Sequence, residues 1–192
     1  MKKYLSALLV ILFSATWVAA SEIGDDGLHK TDWMRDTFKD LREDLAEANA
    51  EGKRLVLFFE QRGCIYCKKM HETVYTDPEL AGYIDDNFFV VRLNLHGDLE
   101  VVDFDGDTLS EKKTSRKWGI LFTPSIIFMP ESVEDGQSAI QASVAMMPGA
   151  FSRGMTLDMF TWVNEKLYEL DSDEDFQRYH ARRINERRAA KE

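Results

Sequence analysis

Two kinds of hydrophobic pattern alternate along the chain after residue 30. Short apolar runs, LVLFF at 55–59 and FFVVRLNL at 88–95, are typical of strands that are buried on both faces of a sheet. Between these runs, apolar residues recur among charged ones at the three- and four-residue spacing of an amphipathic helix. Helices that alternate with short buried strands predict an α/β fold around a central mixed sheet.

The predicted order of elements is α-β-α-β-α-β-β-α, with the second helical region broken at Asp77-Pro78. In chain order, the pattern predicts a helix from an N-cap at Asp32 to a stop at Gly52, a strand at 55–59, a helix from Cys64, a helix from Pro78 to about residue 86, a strand at 88–95, a helix at 109–119, strands at 125–129 and 136–146, and a helix at 155–170. Asp105-Gly106 in DFDGD predicts a hairpin turn rather than a calcium loop, because the glycine is not at the EF-hand position.

The two ends of the chain differ from this central domain, residues 31–170. Residues 1–20 carry two lysines, an apolar run and small residues before Ser21, which predicts a secretory signal peptide cleaved after about Ala20. Residues 21–30 are polar and predict a loose leader. Residues 171–192 begin acidic and end basic, which predicts a charged helical tail, either pinned to the domain by Phe176 and Tyr179 or free to dock elsewhere.

The amino-acid composition makes some classes of function poor candidates. The chain has 192 residues and a formal net charge of −10. This excess of acidic residues makes nucleic acid and anionic lipid poor partners. A hydrophobic content of 44% is that of a globular domain rather than a disordered chain.

The only two cysteines, Cys64 and Cys67, lie in EQRGCIYCKKMHE directly after the first buried strand. A structural disulfide closing so short a loop would remove little entropy from the unfolded chain. Haem attachment requires His after the second cysteine, where Lys68 stands. A metal site could use both cysteines with His71 on one helix face and His96 as a fourth ligand, but zinc sites usually have a second cysteine pair or closely spaced histidines. On this reading His71 is an ordinary surface or packing residue of the helix.

A reactive pair fits the position better. Thiolate is the reactive form of cysteine, and the unpaired N–H groups of a helix N-terminus stabilise negative charge. Cys64 stands where the strand ends and the helix begins, and Cys67 lies one turn further, within disulfide distance. The sequence therefore predicts Cys64 as the attacking thiol and Cys67 as the resolving thiol.

Two further features bear on this pair. Thr123-Pro124 precedes the apolar strand SIIF, where a cis bond would hold Thr123 extended for pairing with a substrate strand; the alternative is a purely structural proline. Glu60, at the end of the strand before the cysteines, is a candidate proton acceptor for Cys67. Its alternative is a charge that reaches solvent at the end of a buried strand.

A strand, CxxC at a helix start and a later Thr-Pro before a strand resemble the thioredoxin fold, here with an added N-terminal helix and a C-terminal helical tail. More narrowly, FFEQRGCIYCKKMHE, the segment VVRLNLHGDLEVVDFDGDTLSEKKTSRKWGILFTPSIIF and DFQRYHARR resemble the exported SoxW-type thioredoxins of bacterial sulfur-oxidation systems. Two positions depart from the thioredoxin pattern: the dipeptide is Ile65-Tyr66, and Phe58 stands where thioredoxin has a buried aspartate.

The resemblance implies a periplasmic thiol–disulfide oxidoreductase that needs no cofactor. Its redox pair is Cys64 and Cys67, and its cis-proline with the preceding threonine is Thr123 and Pro124. Proteins of this kind are similar to disulfide reductants that receive electrons from a membrane thiol transporter of the CcdA/DsbD kind and act on exported proteins, among them a sulfur-carrier protein. The alternatives are an oxidase or isomerase working in the opposite direction, and a module of this fold that binds a partner or a metal without turnover.

Overall fold

The computed structural model describes residues 22–170 and 174–190. The predicted signal peptide at 1–20 and the acidic start of the tail at 171–173 lie outside the described residues.

The described chain forms nine strands and seven α-helices, with one 3₁₀ helix. In order, these are β1 (Glu22–Ile23), β2 (His29–Lys30), β3 (Met34–Arg35), α1 (Leu41–Ala50), β4 (Arg54–Glu60), α2 (Ile65–Thr73), α3 (Pro78–Asn87), β5 (Phe88–Asn94), β6 (Glu100–Val102), β7 (Thr108–Ser110), α4 (Glu111–Lys117), β8 (Ser125–Phe128), α5 (Ala139–Ala142), β9 (Ala145–Pro148), α6 (Arg153–Asn164), the 3₁₀ helix Leu167–Glu169 and α7 (Phe176–Ala189).

A mixed five-stranded sheet in the order β3-β5-β4-β8-β9 forms the centre of the fold. β3, β5 and β4 are parallel, whereas β8 and β9 pair antiparallel beyond β4. Val56 in β4 lies opposite Val90 on one side and Phe128 on the other. The predicted α/β fold with a central mixed sheet is confirmed, and so are the strands expected around 55–59, 88–95 and 125–129.

Each face of the sheet has its own core, because successive residues of a strand point to opposite faces. Val56 and Phe58 pack with α2, α3, α6 and α7, in a cluster rich in aromatic rings. Leu55, Leu57 and Phe59 face the other way and pack with α1 and Trp118. A strand covered on both faces in this way places its last residue, Glu60, inside the molecule.

The expected start of the first helix at Asp32 is wrong: α1 begins at Leu41. Asp40 is its N-cap, and the Asp40 side chain accepts hydrogen bonds from the backbone N–H groups of Arg42 and Glu43. Lys39, with φ of 61°, cannot continue a right-handed helix. Met34, which has helical spacing to later apolar residues, instead belongs to β3 at the sheet edge.

Residues 22–30 are not a loose leader, because they form the antiparallel hairpin β1–β2. Arg92 in β5 donates from Nη1 to the His29 carbonyl at 2.6 Å and from Nη2 to the Asp26 carboxylate at 2.9 Å. Leu28 is buried at 2% exposure. The charged groups of this polar segment thus find partners on the domain, and the hairpin packs against it.

The expected strand at 136–146 is also wrong, because its first half forms the short helix α5. The Ser138 backbone N–H donates to the Gln141 side chain at 2.9 Å, and the Ala139 N–H donates to Asp103 at 2.8 Å. These contacts satisfy the N–H groups that a strand would have offered to a neighbour. The last strand, β9, therefore starts only at Ala145.

The predicted hairpin turn at Asp105-Gly106 and the predicted helix in the tail are confirmed. β6 and β7 form a hairpin around Asp105-Gly106, and Lys117 contacts Asp103 and Asp107, each at 2.9 Å. The tail forms α7, in which Phe176 and Tyr179 are buried against the domain. Within residues 22–170 and 174–190, no helix is both long and apolar enough to cross a membrane.

Candidate active site

Cys64 is the N-cap residue of α2, immediately after the turn that follows β4. Gly63 makes this turn with φ of 74°, a conformation that glycine adopts without strain. The Cys64 sulfur accepts a hydrogen bond from the Cys67 backbone N–H at 3.0 Å. Ser, Thr, Asn or Asp usually fills this position, so the sulfur stands where an anion is best stabilised by the helix N-terminus.

Cys64 and Cys67 form a disulfide with an S–S distance of 2.09 Å and a Cα–Cα distance of 5.2 Å. Cys64 has 7% of its surface exposed, whereas Cys67 has none. Cys64 is therefore the more exposed of the two cysteines, and its role as the attacking thiol stays a prediction.

The loop before β8 lies against this disulfide. Thr123-Pro124 is a cis peptide bond, as anticipated for a site proline. The Thr123 hydroxyl donates to the Cys64 sulfur at 3.2 Å, and the Thr123 carbonyl oxygen lies 3.5 Å from the same sulfur. Two loops distant in sequence thus meet at the reactive atom.

Exposed apolar side chains lie near the disulfide, both at the start of α2 and in the loop before β8. Ile65 and Tyr66, between the cysteines, are 72% and 58% exposed, and Leu121 and Phe122, before the cis bond, are 80% and 52% exposed. Such a patch next to a reactive bond suits contact with an extended protein segment.

Glu60 does not reach solvent at the strand end, because only 1% of it is exposed. Its Oε1 lies 2.6 Å from Nε2 of His71 in α2, which is itself 1% exposed. Of the two expectations for His71, the surface position is wrong and the packing position is confirmed, with a contact to Glu60 in addition. Cys67 and His71 are one turn apart on the buried face of the same helix, which brings the Glu60–His71 pair near the resolving cysteine.

Several buried polar atoms around this pair have no hydrogen-bond partner among the described residues. They are Oε2 of Glu60, Nδ1 of His71 and the hydroxyl of Tyr75. Burial, and then the nearby Glu60 charge, raise the pKa of Tyr75 well above its ordinary value. Unpartnered polar atoms in a protein interior are costly, so this cluster is not explained by stability alone.

The alternative of a metal site has no geometric support. Within the described ranges, no group of three or more His, Cys, Asp or Glu side chains is arranged to hold a metal ion. The cysteines bond to each other and His71 bonds to Glu60, while His96 is exposed.

Comparison with known proteins agrees with this geometry. Residues 41–154, more than half of the chain, match the model of the thioredoxin-like domain. The chain belongs to the thioredoxin-like family. A redox pair at this helix start, in this fold, makes the protein a thiol–disulfide oxidoreductase.

The chain is also similar to solved structures, and the first of those named here shows the same fold. A thioredoxin-fold protein from Helicobacter pylori has 18% identity and a TM-score of 0.56, over 70% of this chain and 86% of that chain. A thioredoxin from Thermus thermophilus has 23% identity and a TM-score of 0.48, over 65% and 83%. The C-terminal domain of Neisseria meningitidis DsbD has 14% identity and a TM-score of 0.42, over 63% and 91%. No curated protein sequence matches the chain.

The structure brings together Cys64, Cys67, Thr123 and Pro124, and it pairs Glu60 with His71, a contact that the sequence did not predict. A histidine four residues after a buried cysteine was a usable signal, because both share a helix face. Its pairing with Glu60 depends on how α2 packs on β4, which spacing along the chain does not reveal.

Proposed function

We propose that this protein is an exported reductant of protein disulfides. The observation that carries the proposal is the Cys64–Cys67 disulfide at the N-terminus of α2, in which Cys64 is the more exposed residue and its sulfur contacts Thr123. Support for export comes from the segment 1–20, and support for the reducing direction comes from the resemblance to SoxW-type thioredoxins.

In the proposed reaction the reduced protein supplies two electrons. The Cys64 thiolate attacks one sulfur of the substrate disulfide and expels the other as a thiolate, giving a mixed disulfide. Cys67 then loses its proton and attacks the Cys64 sulfur, which forms the Cys64–Cys67 bond and releases the second substrate thiol. The substrate disulfide is reduced and the enzyme dithiol is oxidised.

Residues around the pair support each step. The helix N-terminus and the Thr123 hydroxyl stabilise negative charge on Cys64. The backbone of Thr123 pairs with the substrate strand beside Pro124, and the exposed apolar patch receives its side chains. Glu60 accepts the Cys67 proton, since its buried carboxylate lies on the side of the sheet that α2 covers.

The electrons consumed in each turnover come from a membrane thiol transporter of the CcdA/DsbD kind, and the substrate is an exported protein such as the sulfur carrier of a sulfur-oxidation system. These assignments, like the periplasmic location, follow from the resemblance and are part of the proposal.

The reduction potential of the Cys64–Cys67 couple tests the direction. The protein without residues 1–20 is equilibrated in graded thiol buffers, and the fraction of disulfide is measured by alkylation and mass spectrometry. We expect a potential near that of thioredoxin, roughly −270 mV, as a reductant requires.

A potential of roughly −120 mV would instead identify an oxidant and overturn the proposal. The Cys64→Ser variant is the matched control, and it shows no reversible two-electron couple. If the unsubstituted protein also shows none, turnover itself is excluded and a non-catalytic binding role takes its place.

A further inference from the structure

Resting on the proposed function, we propose that His71, held in place by His29, continues from Glu60 as a proton path from buried Cys67 to a groove beside the active site. His71 transfers the proton in the second half of the reaction, His29 positions the His71 ring, and neither takes part in the attack by Cys64.

The inner end of the path is closed to solvent. Cys67 has no exposed surface, so its proton must leave through the protein when it becomes the attacking thiolate. The Glu60–His71 pair lies beside it, with Oε2 of Glu60 and Nδ1 of His71 both without a hydrogen-bond partner in the described chain. Oε2 of Glu60 is therefore available to receive a proton, and Nδ1 of His71 is available to release one.

His29 covers the outer side of this pair. Its ring stacks on the His71 ring with a centroid distance of 4.8 Å and an interplanar angle of 21°. Burial, and then His71, lower the pKa of His29 below its ordinary value.

Other charged groups face the histidines. Glu60 and Glu72 raise the pKa of His29, and Lys68 lowers it. Tyr75 packs edge-on against the His71 ring at 5.1 Å between centroids. Negative and positive neighbours thus partly offset each other around the path.

The outer end opens into a groove of about 580 Å³ beside Cys64. Hairpin β1–β2 and helix α2 line it, with Ile23, Gly27, His29, Cys64, Lys68 and His71 among the lining residues. Arg92 holds the hairpin in place through the His29 carbonyl and Asp26. The hairpin thereby fixes His29 between the buried pair and the groove.

The proposed transfer balances as follows. The Cys67 S–H bond breaks, its proton goes to the Glu60–His71 pair, and its electron pair forms the bond to the Cys64 sulfur as the substrate thiolate leaves. The pair then gives up the proton past His29 to water in the groove, which restores its starting charge.

A symmetric aromatic disulfide, 5,5′-dithiobis(2-nitrobenzoate), separates the two steps. Reduced protein releases one coloured thiolate when Cys64 attacks and a second when Cys67 resolves the mixed disulfide, and stopped-flow absorbance follows both from pH 5.5 to 9. Variants are His71→Gln, which keeps a hydrogen-bonding group towards Glu60, and His29→Phe, which keeps a ring to stack on His71. The control is His96→Gln, since His96 is exposed and outside the path.

We expect the second release to fall about tenfold in His71→Gln and about threefold in His29→Phe at pH 6.5. The first release is unchanged, and the deficit in the second release narrows towards pH 9, where a growing fraction of Cys67 is already thiolate before the attack and needs no acceptor. His96→Gln matches the unsubstituted protein at every pH.

Second-release profiles of both variants that coincide with the unsubstituted protein would overturn the path while leaving the proposed function intact. A uniform loss at all pH values would mean a structural role and would also overturn it. If the unsubstituted protein releases only one thiolate, the proposed function fails as well. Thermal unfolding of each oxidised variant confirms that it is folded before the kinetics are compared.

Discussion

At the scale of single residues, the two cysteines differ because the backbone places them differently. Cys64 caps α2 and accepts the Cys67 N–H, while Cys67 sits inside the helix with its side chain buried. In the reduced protein the same N–H and the Thr123 hydroxyl are donors for a thiolate at Cys64. The proposed order of the two chemical steps rests on this local asymmetry.

Asp44 in α1 gives a prediction at the same scale. Burial raises the pKa of Asp44 from 3.8 to about 7, the Thr37 hydrogen bond lowers it, and neighbours such as Asp40 and Glu43 raise it. The folded protein thus holds this proton more tightly than the unfolded chain, and stability falls as pH rises from about 4 to 7. In Asp44→Asn this loss of stability with rising pH is absent, because asparagine does not ionise. We expect its melting temperature to exceed that of the unsubstituted protein by about 5 °C at pH 8 and to equal it at pH 4.

Asp85→Asn is the matched control, because it makes the same change at an exposed position of helix α3 that is not among the charges facing Asp44. Differential scanning calorimetry at the two pH values measures all three proteins. A gain at pH 8 that Asp85→Asn reproduces would mean that only net charge matters and that Asp44 is not specially buried.

At the scale of elements, α7 is fastened to α6 by a buried carboxylate. Asp158 is 1% exposed and receives Arg187 in two hydrogen bonds at 2.7 and 2.8 Å, with His180 Nδ1 at 2.6 Å. Burial alone would raise the pKa of Asp158, but the hydrogen bonds from Arg187 and His180 hold it below its ordinary value. The charged tail is therefore a packed part of the domain.

Arg187→Ala removes the two hydrogen bonds and leaves the buried carboxylate with fewer partners. We expect the free energy of unfolding at pH 7 to fall by about 2 kcal/mol, measured by urea denaturation. The pKa of Asp158 is lowered on folding, so its contribution is present above the unfolded value of 3.8 and is lost as pH falls below it. The difference between the proteins therefore shrinks in acid.

Arg188→Ala changes the neighbouring exposed arginine and is expected to leave the midpoint unchanged. Equal losses in both variants would show that the helix needs its positive charge in general rather than the contact with Asp158.

At the scale of the whole molecule, the sheet separates two cores, and one of them is built on an aromatic cluster. Phe160 in α6 has no exposed surface and meets Phe88, Phe128 and Phe58 edge-on, with centroid distances of 4.7, 4.9 and 6.3 Å. It joins α6 to three adjacent strands, so its packing reports on the cooperativity of the fold.

Phe160→Ala is expected to cost about 3–5 kcal/mol and to lower the melting temperature by roughly 10 °C in a single transition. Phe38→Ala, at a side chain 95% exposed, is expected to change nothing. Circular dichroism follows both. Two separate transitions in Phe160→Ala would contradict a single cooperative unit.

The site was predictable to the extent that it is local. Cys64 and Cys67 are three residues apart at a strand–helix junction, and Thr123-Pro124 stands directly before an apolar run, so short patterns reveal them. The Glu60–His71 pair spans the gap between β4 and α2, and His29 arrives from a hairpin more than thirty residues upstream. Their meeting requires the packing of three elements.

The sequence by itself determined the α/β class, the three central strands and the position of the two cysteines, because consecutive residues define an apolar run or a helix start. Only the tertiary structure decided residues 22–40 and 136–146, where polar segments take the form that distant partners stabilise. Arg92 binds the His29 carbonyl of the first hairpin, and Asp103 accepts the Ala139 N–H of α5. The local hydrophobic pattern of these segments predicts neither contact. Helix propensity is worth tenths of a kcal/mol per residue, so such long-range contacts outweigh it.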